Sequence, residues 1–450
     1  MRKPYIGIVS PFSAGEGIDR TFTRCFITKQ NNINEIWTAG GIPITLHLDE
    51  DNYEFNEESL WSVDALFIPK CSLLSYQLFA LKYALNKGIP ILLEDNNFFY
   101  NYSDLLKCDY SIIRDKLPSN SSQSEILDND LETKLILIDG LKCYTDITDV
   151  YNKLIKCAVK WGEYKNSVYK REKPIVGVLP QRSDIGITKT VYTYPNCIFR
   201  SGGIPVTIHM PTFDHNVKFE VDAFDEIDSI LIPGGSLILP EQICAVKYAI
   251  SEGKPLIGIC AGTQVMGAYN WLKIKYGDLD YDKIIDQYNV DIDEANFIFK
   301  IEKGHMHNYT SNFYKSMVNN FLHSVFLIGK LSKIYEKEYL ISGVNYSSCI
   351  LAPSIHNWAL NKDLLDDPKS LFEVTGFSDD GIVEAIQYKN NSNIIGVQYH
   401  PELIDESRFI KKDDGTFDYV VSHRALFDRF ITDSIIYKNL NERKFSLKIK

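Results

Sequence analysis

Residues 254–272 read KPLIGICAGTQVMGAYNWL. A short apolar run ends at Gly258-Ile259-Cys260-Ala261-Gly262, and amphipathic helical spacing follows. That is a buried strand turning into a helix, with glycine on each side of one cysteine. Glycines permit a tight turn that a Cβ would obstruct. The turn lifts the Cys260 sulfur off the sheet edge, and the helix N-terminus behind it favours the thiolate. A tetrahedral intermediate at such a sulfur needs waiting donors. The Ala261 N–H is one candidate; the other is an N–H from Gly234 or Gly235. On its own the pattern also describes a buried cysteine in a glycine-rich turn.

The surrounding pieces occur twice. Lys3–Val9 matches Lys173–Leu179, and Ala39–His47 matches Ser201–His209. Asp64–Pro69 matches Asp228–Pro233, and Lys82–Pro90 matches Lys247–Pro255. The offsets, 170, 162, 164 and 165, stay nearly constant and in order, which marks an internal repeat. Each copy alternates short apolar runs with helical stretches, the pattern of a mainly parallel sheet flanked by helices. Ligands of such sheets sit beyond the carboxyl ends of the strands, so chemistry is expected just after Ile232 and Ile259. The fold class expected is α/β, with two tandem flavodoxin-like units, the first degenerate and shorter. The expected boundaries are 1–160 for the first unit, 161–173 for a linker, 174–435 for the second unit and 436–450 for a basic, solvated tail.

Residues 394–402 read IIGVQYHPE. A strand delivers His400 to its carboxyl end, and Pro401 disfavours helix for the residue before it. In extended chain Glu402 shares a face with His400. A carboxylate there fixes the imidazole tautomer and supports the imidazolium formed on taking a thiol proton. Cys260, His400 and Glu402 are therefore the expected nucleophile, base and orienter.

These residues resemble the class I glutamine-amidotransferase superfamily, and most closely its peptidase C26 or γ-glutamyl-γ-aminobutyrate hydrolase-like branch. The likeness rests on Pro233-Gly234-Gly235, Gly258–Gln264 and Gly396–Glu402, with Phe377–Ile386 and Ser354-Ile355-His356-Asn357 adding to it. It runs in order over residues 173–435. The resemblance implies hydrolysis of a γ-glutamyl amide through a thioester on Cys260. It makes Gly235 and Ala261 the oxyanion hole, and Gly234, Gln264, Ser354 and His356 substrate contacts. It implies no cofactor and no metal. Two departures fall near the substrate: Ser236–Glu241 is short and mostly apolar, and position 261 is Ala where relatives often carry Arg.

The first unit lacks this machinery. Alignment sets Asp95 opposite Cys260, and Lys70-Cys71 opposite Gly234-Gly235, and no His-Pro-Glu precedes residue 173. Its expected role is packing: it could occupy the surface another protomer would use, giving a monomer with an internal pseudo-dimer, or leave room for a homodimer. Ser119–Ser124 reads as a loop, and residues 273–345 as insertions covering the site. His305 and His307 share a face if extended.

Bulk composition fits a small-molecule enzyme. The 450 residues, 45% hydrophobic, suffice for two or three cores. The net charge of −11 argues against nucleic acid and anionic membrane surfaces. Nine cysteines without paired spacing, no signal-peptide pattern and no apolar run of spanning length give the expectation of a cytoplasmic protein. Two other readings use the same residues: a glutaminase subunit passing ammonia to a separate synthase, and an inactive protein that binds a γ-glutamyl ligand.

Overall fold

A computed structural model describes residues 2–14, 24–48, 53–69, 75–94, 135–137, 147–183, 186–213, 216–235, 237–291, 299–301, 322–341, 343, 348–356, 358–411 and 415–448. The first half contributes β1 (Tyr5–Ile8), β2 (Phe12–Ala14), β3 (Arg24–Lys29), β4 (Ile42–Leu46), β5 (Ala65–Ile68), β6 (Ile91–Leu93) and β7 (Leu135–Leu137). The second begins with β8 (Ile175–Val178), β9 (Gln181–Ser183), β10 (Ile187–Val191) and β11 (Ile204–Ile208). A hairpin, β12 (Thr212–Phe213) and β13 (Asn216–Val217), follows. Then come β14 (Ser229–Ile232), β15 (Leu256–Ile259), β16 (Phe299–Ile301), β17 (Leu322–Leu327), β18 (Cys349–Pro353) and β19 (Trp358–Leu360). The last are β20 (Phe372–Ser378), β21 (Val383–Tyr388), β22 (Asn391–Val397), β23 (Arg408–Lys411) and β24 (Phe417–Val420).

Fourteen strands form one sheet, in the order β18-β17-β20-β21-β22-β15-β14-β8-β11-β4-β1-β5-β6-β7. The α/β class holds, but a single sheet stands where separate ones were expected. Each half has the local order second, first, third, fourth: β4-β1-β5-β6 and β11-β8-β14-β15. Both runs are parallel. They meet antiparallel at β4 and β11, with Leu46 opposite Val206, Thr45 opposite Thr207 and Ile44 opposite Ile208. From β22 outward to β18 the pairing is antiparallel. β17 thus belongs to the sheet and does not cover the site.

The same local devices recur in both halves. β1 and β8 are wholly buried, as strands covered on both faces must be. Asp64 and Asp228 each accept the first N–H of the neighbouring strand, from Tyr5 at 2.8 Å and Ile175 at 2.7 Å. Arg2 and Lys165 neutralise Asp64, each at 2.7 Å, and Arg171 neutralises Asp228. Gly41 and Gly203 let a closing helix touch the sheet: a Cβ there would lie 2.5 Å from Ile155 and 2.6 Å from Ile431. The first of these helices, Ile147–Val168, runs through most of the expected linker. The other, Arg424–Lys448, continues through the expected tail, where Lys438 is buried. An amphipathic helix that buries one stripe does not stop where its charge density rises.

The halves also share a smaller sheet, β2-β3-β10-β9, in which β3 pairs antiparallel with β10. Between the two sheets lies a buried polar network. Thr45 Oγ1 meets His209 Nε2 at 2.8 Å, and Thr207 Oγ1 meets His47 Nε2 at 2.7 Å. Thr28 and Thr190 bond Thr45 and Thr207 at 2.6 and 2.7 Å. Each half's histidine thus bonds the other half's threonine through Nε2, and His209 also meets Thr188 at Nδ1 at 3.2 Å. Lys70, Cys71, Asp95, Ser119–Ser124, His305 and His307 lie outside the described residues.

Candidate active site

Cys260 joins β15 to the helix Ala261–Tyr276 at φ 52° and ψ −108°. A side chain at positive φ costs about 1–3 kcal/mol and persists only where neighbours enforce it. The enforcement is visible. Cys260 N–H donates to the Val397 carbonyl at 2.8 Å, and its own carbonyl accepts from Thr263 N–H at 3.0 Å. The Thr263 hydroxyl donates to the same Val397 carbonyl at 2.7 Å. A Cβ at Gly258 would sit 2.7 Å from the Gly262 carbonyl, and one at Gly262 would overlap the Ile232 carbonyl oxygen. Both glycines are required by backbone approach.

β22 runs beside β15 and delivers His400 next to Cys260. His400 N–H donates to the Pro353 carbonyl at 3.1 Å, tying the end of β22 to the end of β18. Its Nδ1 lies 2.7 Å from Glu402 Oε1. The pair forms inside a 3-10 turn, Pro401–Leu403, and not in the extended chain expected. Proline suits the first position of such a turn because its missing N–H would be unpartnered there.

Gly234 marks where the pieces converge. A Cβ there would lie 2.8 Å from the Tyr194 hydroxyl, 3.0 Å from His400 Cε1 and 3.2 Å from Cys260 Cβ. Burial pulls the His400 pKa down, but Glu402 and then Cys260 outweigh it and hold the imidazole well above its ordinary 6.5. The His400 side chain keeps 13% of its surface exposed, although its Nε2 is buried. Burial, with Glu402 and Cys260 nearby, pushes the Tyr194 hydroxyl well above its usual range, so it stays protonated.

Tyr194 was not anticipated: an aromatic residue in the first turn of the helix Thr193–Arg200 reads as core. Its hydroxyl accepts from Gly234 N–H at 3.0 Å. Gln181 Nε2 donates to the Gly234 carbonyl. Both backbone polar groups of Gly234 are therefore engaged within the protein. Gly235, the next residue on this turn, is exposed.

Residues 196–409 match the family described as Glutamine amidotransferase class-I. The second half of this chain belongs to the class I glutamine amidotransferase-like superfamily. Domains of this class are cysteine hydrolases of amide bonds. A glutamine amidotransferase-like protein of Rickettsia prowazekii is 26% identical over 293 residues, 53% of this chain and 94% of that protein. The CTP synthase of Sulfurisphaera tokodaii is 25% identical over 210 residues, 44% of this chain but only 35% of the synthase. Among solved structures, the Trypanosoma brucei CTP synthase glutaminase domain with bound acivicin aligns at a TM-score of 0.37 and 14% identity. It covers 58% of this chain and 93% of its own.

The remaining expected contacts in the amidotransferase domain are Gln264, Ser354 and His356. Gln264, in the first turn after Cys260, donates to the Trp358 carbonyl at 2.9 Å and to Gln398 Oε1 at 3.3 Å. Ser354, which is buried, follows the Pro353 carbonyl bonded by His400. His356 Nδ1 lies 3.2 Å from the Trp358 carbonyl and its Nε2 3.3 Å from Glu384 Oε1. His323 lies 3.7 Å from the other Glu384 oxygen. Among the described residues no group of three or more His, Cys, Asp or Glu could hold a metal ion, and no helix is long and apolar enough to cross a membrane.

Proposed function

We propose that the chain hydrolyses the γ-glutamyl amide bond of a small molecule through a γ-glutamyl thioester on Cys260. The observation that carries this reading is the convergence of Cys260, at positive φ, with a His400 ring held by Glu402 at 2.7 Å. The Cys260 thiolate attacks the amide carbonyl, and the carbonyl π pair becomes an oxyanion received by the N–H groups of Gly235 and Ala261. The His400 imidazolium gives its proton to the departing amine as the C–N bond breaks. His400, now neutral, takes a proton from water, whose oxygen attacks the thioester. The C–S bond breaks, glutamate leaves and the thiolate–imidazolium pair returns. Glu402 holds the tautomer throughout.

The test is glutamate release from glutamine and a panel of γ-glutamyl amides. Wild type should turn over at least one of them, and Cys260→Ala none. An unchanged rate in Cys260→Ala rejects the reading.

The similarity to a CTP synthase favours a second reading, in which the substrate is glutamine and the ammonia passes to a separate synthase. Glutamine hydrolysis would then rise on adding that partner, while other γ-glutamyl amides would be poor substrates.

A further inference from the structure

Three consecutive residues hold the turn that follows β14 and the start of the helix beyond it. Pro180, just before β9, accepts at its carbonyl from Gln242 Nε2 at 3.2 Å. Arg182 pairs with the buried Glu241 carboxylate at 2.8 Å. Both partners lie in the first turn of the helix Pro240–Glu252. Between them Gln181 reaches the Gly234 carbonyl, and a Cβ on Gly235 would meet its amide nitrogen at 2.7 Å. The strand carrying Gln181 is an edge strand, held on one side by β10. β10 is in turn paired along its length with β3 of the first half.

We propose that Gln181 is a positioning residue that sets the oxyanion donor of Gly235, and that the first half supports it through β3 and β10. The inference rests on the hydrolase reading above. A peptide unit is planar and trans, so the Gly234 carbonyl and the Gly235 N–H point in opposite directions. Holding that carbonyl on Gln181 turns the Gly235 N–H the other way, while Tyr194 fixes the preceding N–H. Without Gln181, two consecutive glycines have the freedom to rotate this peptide, and the donor would no longer be pre-aimed at developing charge.

The test compares two reactions of the same sulfur in wild type, Gln181→Ala and Gln181→Glu. Hydrolysis of a γ-glutamyl amide passes through an oxyanion; alkylation by iodoacetamide does not. Gln181→Glu keeps the size but has no proton to donate when ionised. Both variants should lose about tenfold or more in kcat, below the ~10²–10³ that loss of a whole oxyanion donor brings. KM and the alkylation rate of Cys260 should change little. Variants that hydrolyse at the wild-type rate overturn the assignment of Gln181. A parallel fall in alkylation also overturns it, because the residue would then merely support the elbow. A wild type that releases no glutamate from any amide overturns the functional reading itself, and this inference with it.

Discussion

His400 Nδ1 and Glu402 Oε1 stand 2.7 Å apart across a single proline-led turn. The two residues meet within one turn, and a carboxylate placed there fixes the imidazole tautomer. Glu402 is the first of the groups that raise the His400 pKa. Glu402→Gln should therefore lower the ring's titration point in an NMR titration and reduce kcat by about 10²-fold or more. The sign of the stability effect follows from the raised value. The stabilisation is fully present below the unfolded pKa of about 6.5 and is lost as pH rises through the folded value. The difference in melting temperature between wild type and Glu402→Gln should be largest at acid pH and shrink on going alkaline.

The opposite sign applies at the junction of the halves. Burial, with His209 nearby, lowers the His47 pKa to about 3; burial, with Arg182 nearby, does the same for His209. A histidine kept neutral in the fold contributes stability above about pH 6.5 and loses it as pH falls toward the folded value. At pH 5 the loss is about 2 kcal/mol for each. Urea midpoints should fall between pH 7 and pH 5, and the fall should be shallower in His47→Gln/His209→Gln.

Thr207→Val takes the hydrogen-bond partner of His47 Nε2, whereas Thr45→Val takes one of two from His209, which keeps Thr188 at 3.2 Å on Nδ1. Each should cost about 1–3 kcal/mol, the penalty for an unsatisfied buried polar group. The Thr207→Val loss should be the larger, because His209 keeps a second bond and His47 does not. Chemical denaturation checks both.

Gly262→Ala would push a methyl into the Ile232 carbonyl oxygen. Overpacking of this kind costs about 1–3 kcal/mol, more when backbone must move. Stability and activity should fall together. In Gly234→Ala the methyl meets Tyr194, His400 and Cys260 at 2.8–3.2 Å, so activity should fall further than stability. Parallel denaturation and rate measurements separate the two cases.

Alkylation should single out Cys260. Burial, with Glu402 nearby, pushes the Cys197 thiol to about 12, and burial also raises Cys244. Mass spectrometry after brief iodoacetamide treatment at pH 7 should find label on Cys260 before either.

The proximity of Cys260, His400 and Glu402 was legible because each is announced locally: glycines around Cys260, and a strand-ending His-Pro-Glu. The repeat was legible from Gly-Gly-Ile-Pro at two places. Other features were hidden for physical reasons. Nothing in the sequence distinguishes Tyr194 from a core aromatic, because its role comes from a hydroxyl meeting a backbone N–H forty residues away. Gln181 acts on a carbonyl, and carbonyls leave no trace in side-chain pattern. The fusion into one sheet depends on β4 and β11 pairing antiparallel, and wholly buried strands read the same whichever way their neighbours run. The helices Ile147–Val168 and Arg424–Lys448 outran their expected ends because charged residues on an exposed face do not interrupt a backbone ladder.

Thr45 lies opposite Thr207, and Ile27 opposite Lys189; in both pairs the partners hold equivalent places in the repeat. Where two identical molecules pair about a symmetry axis, a residue on that axis must face its own twin. The threonines still obey that constraint. Isoleucine against lysine breaks it, a match that two identical chains could not make at that axis. Each side of the seam can therefore change independently at a fixed one-to-one stoichiometry, and one half is free to specialise as scaffold while its neighbour keeps the chemistry.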